Sequence, residues 1–169
     1  MSPVLEIFNG DDDDAAFASL MSCCASHRWA HAVATLRPFK DEEALFVAAD
    51  SIWAQMQEPD WMEAFRAHPR IGERKPAQAS AQSKAWSSQE QAAVHDSQSE
   101  ILASLAAGNF RYEEMFGFTY IVCATGKSAE EMLAILKIRL ANDLQSELQE
   151  AAEQQRQITQ IRLRKWLQV

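Results

Sequence analysis

Cysteine is scarce in this chain. Cys23, Cys24 and Cys123 are the only three, with no C-x-x-C pair and no histidine spaced as in a metal site, so neither a disulfide framework nor a bound metal is expected. Neighbouring helical residues point about 100° apart, so Cys23 and Cys24 do not readily face one ligand, and reduced, buried thiols are the expected state. Glycine and proline are sparse too. Five of each occur in 169 residues, roughly 3% against an ordinary ~7% and ~5%, which favours long helices over turns. Basic charge is in deficit. Sixteen Lys and Arg face 24 Asp and Glu, a net charge of −8, and this argues against nucleic acid as a partner, because phosphate binding needs clustered cations. No apolar run approaches the ~20 residues that span a bilayer, and no basic segment leads into an apolar one near Met1. The expectation is therefore no membrane partner and a cytoplasmic location.

The composition that remains, 47% hydrophobic and 24% charged, is that of an ordinary globular protein, and the length suffices for one domain with its own core. Local signals give an all-α reading: a single compact domain over 1–169 with about eight or nine helices. The spacing predicts helices near 12–25, 27–35, 41–56, 60–66, 87–107, 109–116, 128–141 and 143–167. Three starts match the capping box, in which a short polar residue and an acid or amide three residues on satisfy each other's backbone amides: Asp60 to Glu63, Ser87 to Glu90 and Ser128 to Glu131. The four aspartates 11–14 suit a helix N-terminus, where the macrodipole favours negative charge. Ala44, Leu45, Ala48, Ala49, Ile52 and Trp53 form one apolar stripe, and Met132, Leu133, Leu136 and Leu140 another. The polar stretch 74–85 reads as a loop. Phe116 to Ala124 is rich in β-branched and aromatic residues, yet no second strand-like run exists to pair with it, so a buried helical or irregular segment is expected.

One histidine stands out. His68 precedes Pro69, which ends a helix at or just before it, and Gly72 follows. A loop histidine held by rigid helices suits proton transfer, since imidazole alone titrates near neutrality, although a surface or capping residue has the same local signature. Ser87, Glu90 and Gln91 fall in the first turn of the helix predicted from 87. They offer either an anion site at free amides or simply a helix cap. Arg162, beside Ile161 in the last helix, is placed either to bind a carboxylate with its planar fork or to face solvent near the helix end. Arg139 is a second carboxylate-binding candidate, and an ion pair with Glu147 would account for it equally.

Taken together, these residues fall into ordered motifs: Phe8-Asn9, Cys23-Cys24 with Trp29, His68-Pro69-Arg70-Ile71-Gly72, Ser87-x-x-Glu90-Gln91 and Asn109-x-x-Tyr112-x-x-x-Phe116-Gly117-Phe118. Further along come Cys123-Ala124-x-Gly126, Arg139-Leu140-x-Asn142 and Ile158-x-x-Ile161-Arg162-Leu163. The set resembles the 2-oxo-4-hydroxy-4-carboxy-5-ureidoimidazoline (OHCU) decarboxylase family over nearly the whole chain. The resemblance implies a helical homodimer of urate degradation that converts OHCU to (S)-allantoin and carbon dioxide without metal or organic cofactor. It also implies His68 as the essential histidine, Glu90 as its acidic partner and Arg162 as the arginine of the final helix. Pro69, Ser87, Gln91 and the segment Tyr120, Ile121, Val122, Cys123 and Ala124 match ligand-lining positions. Where the family pattern carries phenylalanine, this chain has Tyr120, whose hydroxyl requires a partner. The contrasting readings are a non-catalytic helical interaction module and a hydrolase acting one step earlier.

Overall fold

The computed structural model describes residues 2–73, 80–92 and 98–169. Among them lie nine helices and no strand: α1 (Pro3–Gly10), α2 (Asp13–Cys23), α3 (His27–Ala34), α4 (Glu42–Trp53), α5 (Glu58–Arg66), α6 (Ala81–Glu90), α7 (Ser99–Phe116), α8 (Ala129–Arg139) and α9 (Leu144–Leu167). The described chain forms two compact units, 1–64 with 156–169, and 65–155.

Most helix starts carry side-chain caps. Ser2, Asp12, Ser26 and Asp41 each accept the amide of the residue three ahead, satisfying donors that the first turn leaves free. At α8 the full capping box is present, with Ser128 and Glu131 bonded reciprocally at 3.2 and 2.7 Å. The other two boxes are not formed. Asp60 sits inside α5 and accepts the Gln57 amide at 2.9 Å, while Glu63 accepts the His27 amide at 3.0 Å. Ser87 lies in the last turns of α6, whose cap is Ser80, accepting from the Ser83 amide at 3.1 Å.

The helices expected over 87–107 and 109–116 are thus redistributed. One helix ends at Glu90, and α7 runs unbroken through Gly108. A Cβ on Gly108 would lie 2.5 Å from Leu136 Cδ2, so this glycine serves the close approach of α7 to α8 rather than a break. Helix α1 was not expected, although Ser2 followed by Pro3 is a capping residue before a proline at the first helical position. Residues 74–79 of the expected loop and 93–97 of the expected helix lie outside the described residues.

In the first unit Leu5, Phe8, Leu20, Trp29, Val33 and Leu45 are fully buried. The Trp29 indole donates to the Ala49 carbonyl at 3.0 Å, so burying it leaves no polar atom unpaired. The second unit buries Phe65, Leu105, Tyr112, Tyr120, Met132 and Leu136. Gly117, at φ +79°, ends α7, and 119–124 follows as a buried segment without regular structure. Side chains satisfy its backbone in place of a partner strand. Gln154 accepts the Cys123 amide at 2.8 Å, Lys127 donates to the Cys123 carbonyl at 2.7 Å, and Arg139 donates to the Ile121 carbonyl.

Candidate active site

His68 emerges from the end of α5. Its amide still bonds back to the Phe65 carbonyl at 3.1 Å, and the buried Pro69 then stops the helix. The turn beyond is fixed from three sides. Gln91 accepts the Gly72 amide at 2.9 Å, Asn109 donates to the Ile71 carbonyl at 3.0 Å, and Arg70 forks onto Glu113 at 2.7 and 2.9 Å. Gly72 adopts φ +94°, a region that side chains rarely enter. His68 itself is half-buried, and its Nε2 meets Oε1 of the fully buried Gln155 at 2.7 Å.

Ser87 and Gln91 stand one turn apart on the same side of the chain and are both 5% exposed. The Ser87 hydroxyl has no hydrogen-bond partner among the described residues, and neither does Asn109 Oδ1. An orphaned buried polar atom costs about 1–3 kcal/mol, so it calls for a functional reason. Glu90 is the last residue of α6 and half-buried. The cap read at Ser87 and Glu90 is therefore not formed, because Ser87 lies within α6 and Glu90 is its last residue.

Tyr120 to Ala124 are all buried, and the Tyr120 hydroxyl donates to the Met132 carbonyl at 3.1 Å, which supplies the partner it required. Beneath this segment Arg139 bonds Glu147, whose carboxylate also accepts from Asn142 Nδ2 at 2.9 Å and from the Tyr112 hydroxyl. The guanidinium lies 5.0 Å from the Tyr120 ring centre and 5.8 Å from that of Tyr112. Burial works against its charge, but Glu147 and the two tyrosines outweigh that and hold its pKa above the usual value. Burial likewise pushes both phenols upward, with Arg139 opposing. The structural ion pair with Glu147 is the one the protein forms.

Arg162 belongs to the other unit. It is 3% exposed, with a guanidinium nitrogen 3.5 Å from the Cys23 carbonyl, so the solvent-facing alternative is set aside. Cys23 and Cys24 are buried, and desolvation pushes both thiols up to about 12 against the opposing charge of Arg162. No group of three His, Cys, Asp or Glu among the described residues is arranged to hold a metal ion.

The sequence reading missed Gln154 and Gln155. Both lie in a polar run, Glu153 to Gln157, that suggests solvent. Helical spacing from Ala151 and Ala152 through Gln155 to Ile158, Thr159 and Arg162 nonetheless puts Gln155 on the buried stripe, and this signal was available.

Residues 9–164 match the family model described as OHCU decarboxylase. The chain is 37% identical over 144 residues to the uric acid degradation bifunctional protein TTL of Arabidopsis thaliana, an alignment covering 85% of this chain and 44% of that protein. It is 40% identical over 60 residues to the 2-oxo-4-hydroxy-4-carboxy-5-ureidoimidazoline decarboxylase of Amia calva, covering 36% of this chain and 34% of that one. The chain spans less than half the length of these curated relatives. Among solved structures, it superposes with TM-score 0.78 and 32% identity on an OHCU decarboxylase crystallised in the presence of (S)-allantoin, covering 94% of this chain and all of that one. An (S)-allantoin synthase, at TM-score 0.70 and 16% identity over 96% of this chain and 53% of that one, shares the fold.

Proposed function

The chain belongs to the OHCU decarboxylase family, and from that membership we propose that it is a cofactor-independent carboxy-lyase turning OHCU into (S)-allantoin and carbon dioxide in urate degradation. The observation that carries the reading is the braced His68 turn. Three side chains from outside it, Gln91, Asn109 and Glu113, hold one short loop, and such bracing is what a proton-transfer group needs to be positioned.

The chemistry asks little else of the protein. Carbon dioxide leaves as the carbon–carbon bond breaks, its electron pair forms a double bond to the neighbouring carbon, and the carbon–nitrogen pair settles on nitrogen, which takes up a proton from solvent. The hydroxyl then loses its proton as a carbonyl forms, and the adjacent carbon gains one to become the stereocentre. In this proposal His68 takes and returns those protons, with Glu90 as its acidic partner, while Arg162 is the carboxylate-binding cation. Pro69, Ser87, Gln91 and the segment Tyr120, Ile121, Val122, Cys123 and Ala124 are the proposed ligand-lining groups. The orphaned Ser87 hydroxyl supports this, because a substrate oxygen or nitrogen would satisfy it. General acid–base help contributes about 10²–10⁴-fold, so orientation and exclusion of water must supply much of the rest.

The same proposal has the enzyme working as a cytoplasmic homodimer. No described helix is long and apolar enough to cross a membrane, and α7 leaves Phe110 and Met115 exposed in the single chain. Sedimentation of the purified protein tests the dimer. Freshly generated OHCU tests the activity: release of carbon dioxide with an excess of (S)-allantoin over spontaneous decay is expected. A hydrolase would release no carbon dioxide, and an interaction module would leave the spontaneous course unchanged.

A further inference from the structure

α9 presents two consecutive glutamines to two separate stretches of the second unit. Gln154 accepts the Cys123 amide, and Gln155 meets His68 Nε2. Gln155 has no solvent exposure and shares its stripe with Ala151, Ala152 and Ile158. An unbonded primary amide there would cost a few kcal/mol relative to an apolar side chain of the same size, so its retention points to the bond it makes.

We infer that Gln155 is a positioning residue for His68: its carbonyl oxygen holds the proton on Nε2 and so makes Nδ1 the atom that exchanges a proton with the substrate. The inference rests on the decarboxylase reading above. A neutral imidazole carries a single N–H, and an oxygen at Nε2 accepts that proton, which leaves the ring's lone pair on Nδ1. The neutral amide also differs from the carboxylate that orients the histidine of a Ser-His-Asp triad, because it fixes the ring without stabilising the imidazolium. Gln155 thus sets the tautomer, while stabilisation of the imidazolium falls to Glu90, the proposed acidic partner.

The test uses the full chain labelled with ¹⁵N-histidine, with His68→Gln identifying the His68 signals. The wild-type spectrum at a pH where the ring is neutral is expected to show a protonated Nε2, a bare Nδ1 and an exchange-protected imidazole proton. Gln155→Leu should lose that protected proton and lower kcat on the order of tenfold with KM little changed, since a disoriented base forfeits part of the acid–base contribution. Gln155→Glu, which keeps an oxygen acceptor, should restore the resonance. A wild-type spectrum dominated by the Nδ1–H form overturns the inference without any variant being made, as does a Leu variant with unchanged kcat. If His68→Gln itself retains full turnover, the role of His68 in the decarboxylase reading fails instead, whichever tautomer the spectrum reports.

Discussion

Replacing Glu147 by Gln preserves shape and removes one buried negative charge. In the folded protein that charge faces Arg139, itself 4% exposed, and accepts from Asn142 and Tyr112 as well. Because the replacement is isosteric, no cavity opens, and the cost is that of leaving a guanidinium buried among neutral groups, the Ile121 carbonyl, the Tyr112 hydroxyl, the new amide and two aromatic faces. Breaking a buried pair by removing one partner costs about 3–5 kcal/mol. The amide retains some of the hydrogen bonds, so the lower end, about 3 kcal/mol, is expected, equivalent to a fall in Tm of roughly 6–12 °C for a chain of this size. Urea denaturation followed by circular dichroism measures it, with the slope m unchanged if only stability has altered. The double variant Arg139→Met, Glu147→Leu should recover much of the loss, since an apolar pair leaves no charge unpaired. A loss below about 1 kcal/mol for Glu147→Gln would refute the argument.

Three further outcomes follow from packing and burial. Ser128→Ala should cost about 1 kcal/mol by removing the cap of α8. The Ser128 backbone amide, and then its hydroxyl, hold the Glu131 carboxyl below its ordinary 4.5, so the carboxylate's own share of the box is present above this pH and lost as the pH falls through the depressed folded value. Thermal melts of wild type and Glu131→Gln should therefore converge in acid, and a gap that widens there contradicts the capping box. Gly108→Ala gains up to ~1 kcal/mol of helix propensity but brings a Cβ to 2.5 Å from Leu136 Cδ2. Overpacking of that kind costs about 1–3 kcal/mol, so a net loss near 1 kcal/mol is expected in the same urea assay, and a gain would contradict it. Cys23 and Cys24, with thiols pushed up to about 12, should resist iodoacetamide at about pH 8 when folded and react in urea, as mapped by peptide mass. Labelling of either in the native chain would count against their burial.

What could be read from the chain in advance divides along physical lines. Helix periodicity and apolar stripes were legible, as at Leu45, Ala49 and Trp53 or Met132 and Leu136, because burial of one face writes itself into spacing. That 119–124 is not a strand was also legible, since a lone strand has no partner for its amides, but the choice between helix and irregular chain was not. Capping was not reliably legible. Ser87 to Glu90 has the same spacing as Ser128 to Glu131, yet Ser80 starts the helix and only the second box forms. Gly108 looked like punctuation because its reason, Leu136, lies 28 residues away in sequence. The turn that carries His68 was readable from Pro69 and Gly72, but its braces, Gln91, Asn109 and Gln155, come from three other helices or helix ends. That kind of convergence is set by tertiary packing alone.

The central claim is that His68 transfers the protons of an OHCU decarboxylation. The most direct measurement compares wild type with His68→Ala on freshly generated OHCU, reading the enantiomeric excess of allantoin while far-ultraviolet circular dichroism confirms equal helix content. The account predicts (S)-allantoin in excess from the wild type and racemic product at the spontaneous rate from the variant. A folded His68→Ala protein that still yields (S)-allantoin at the wild-type rate would contradict it.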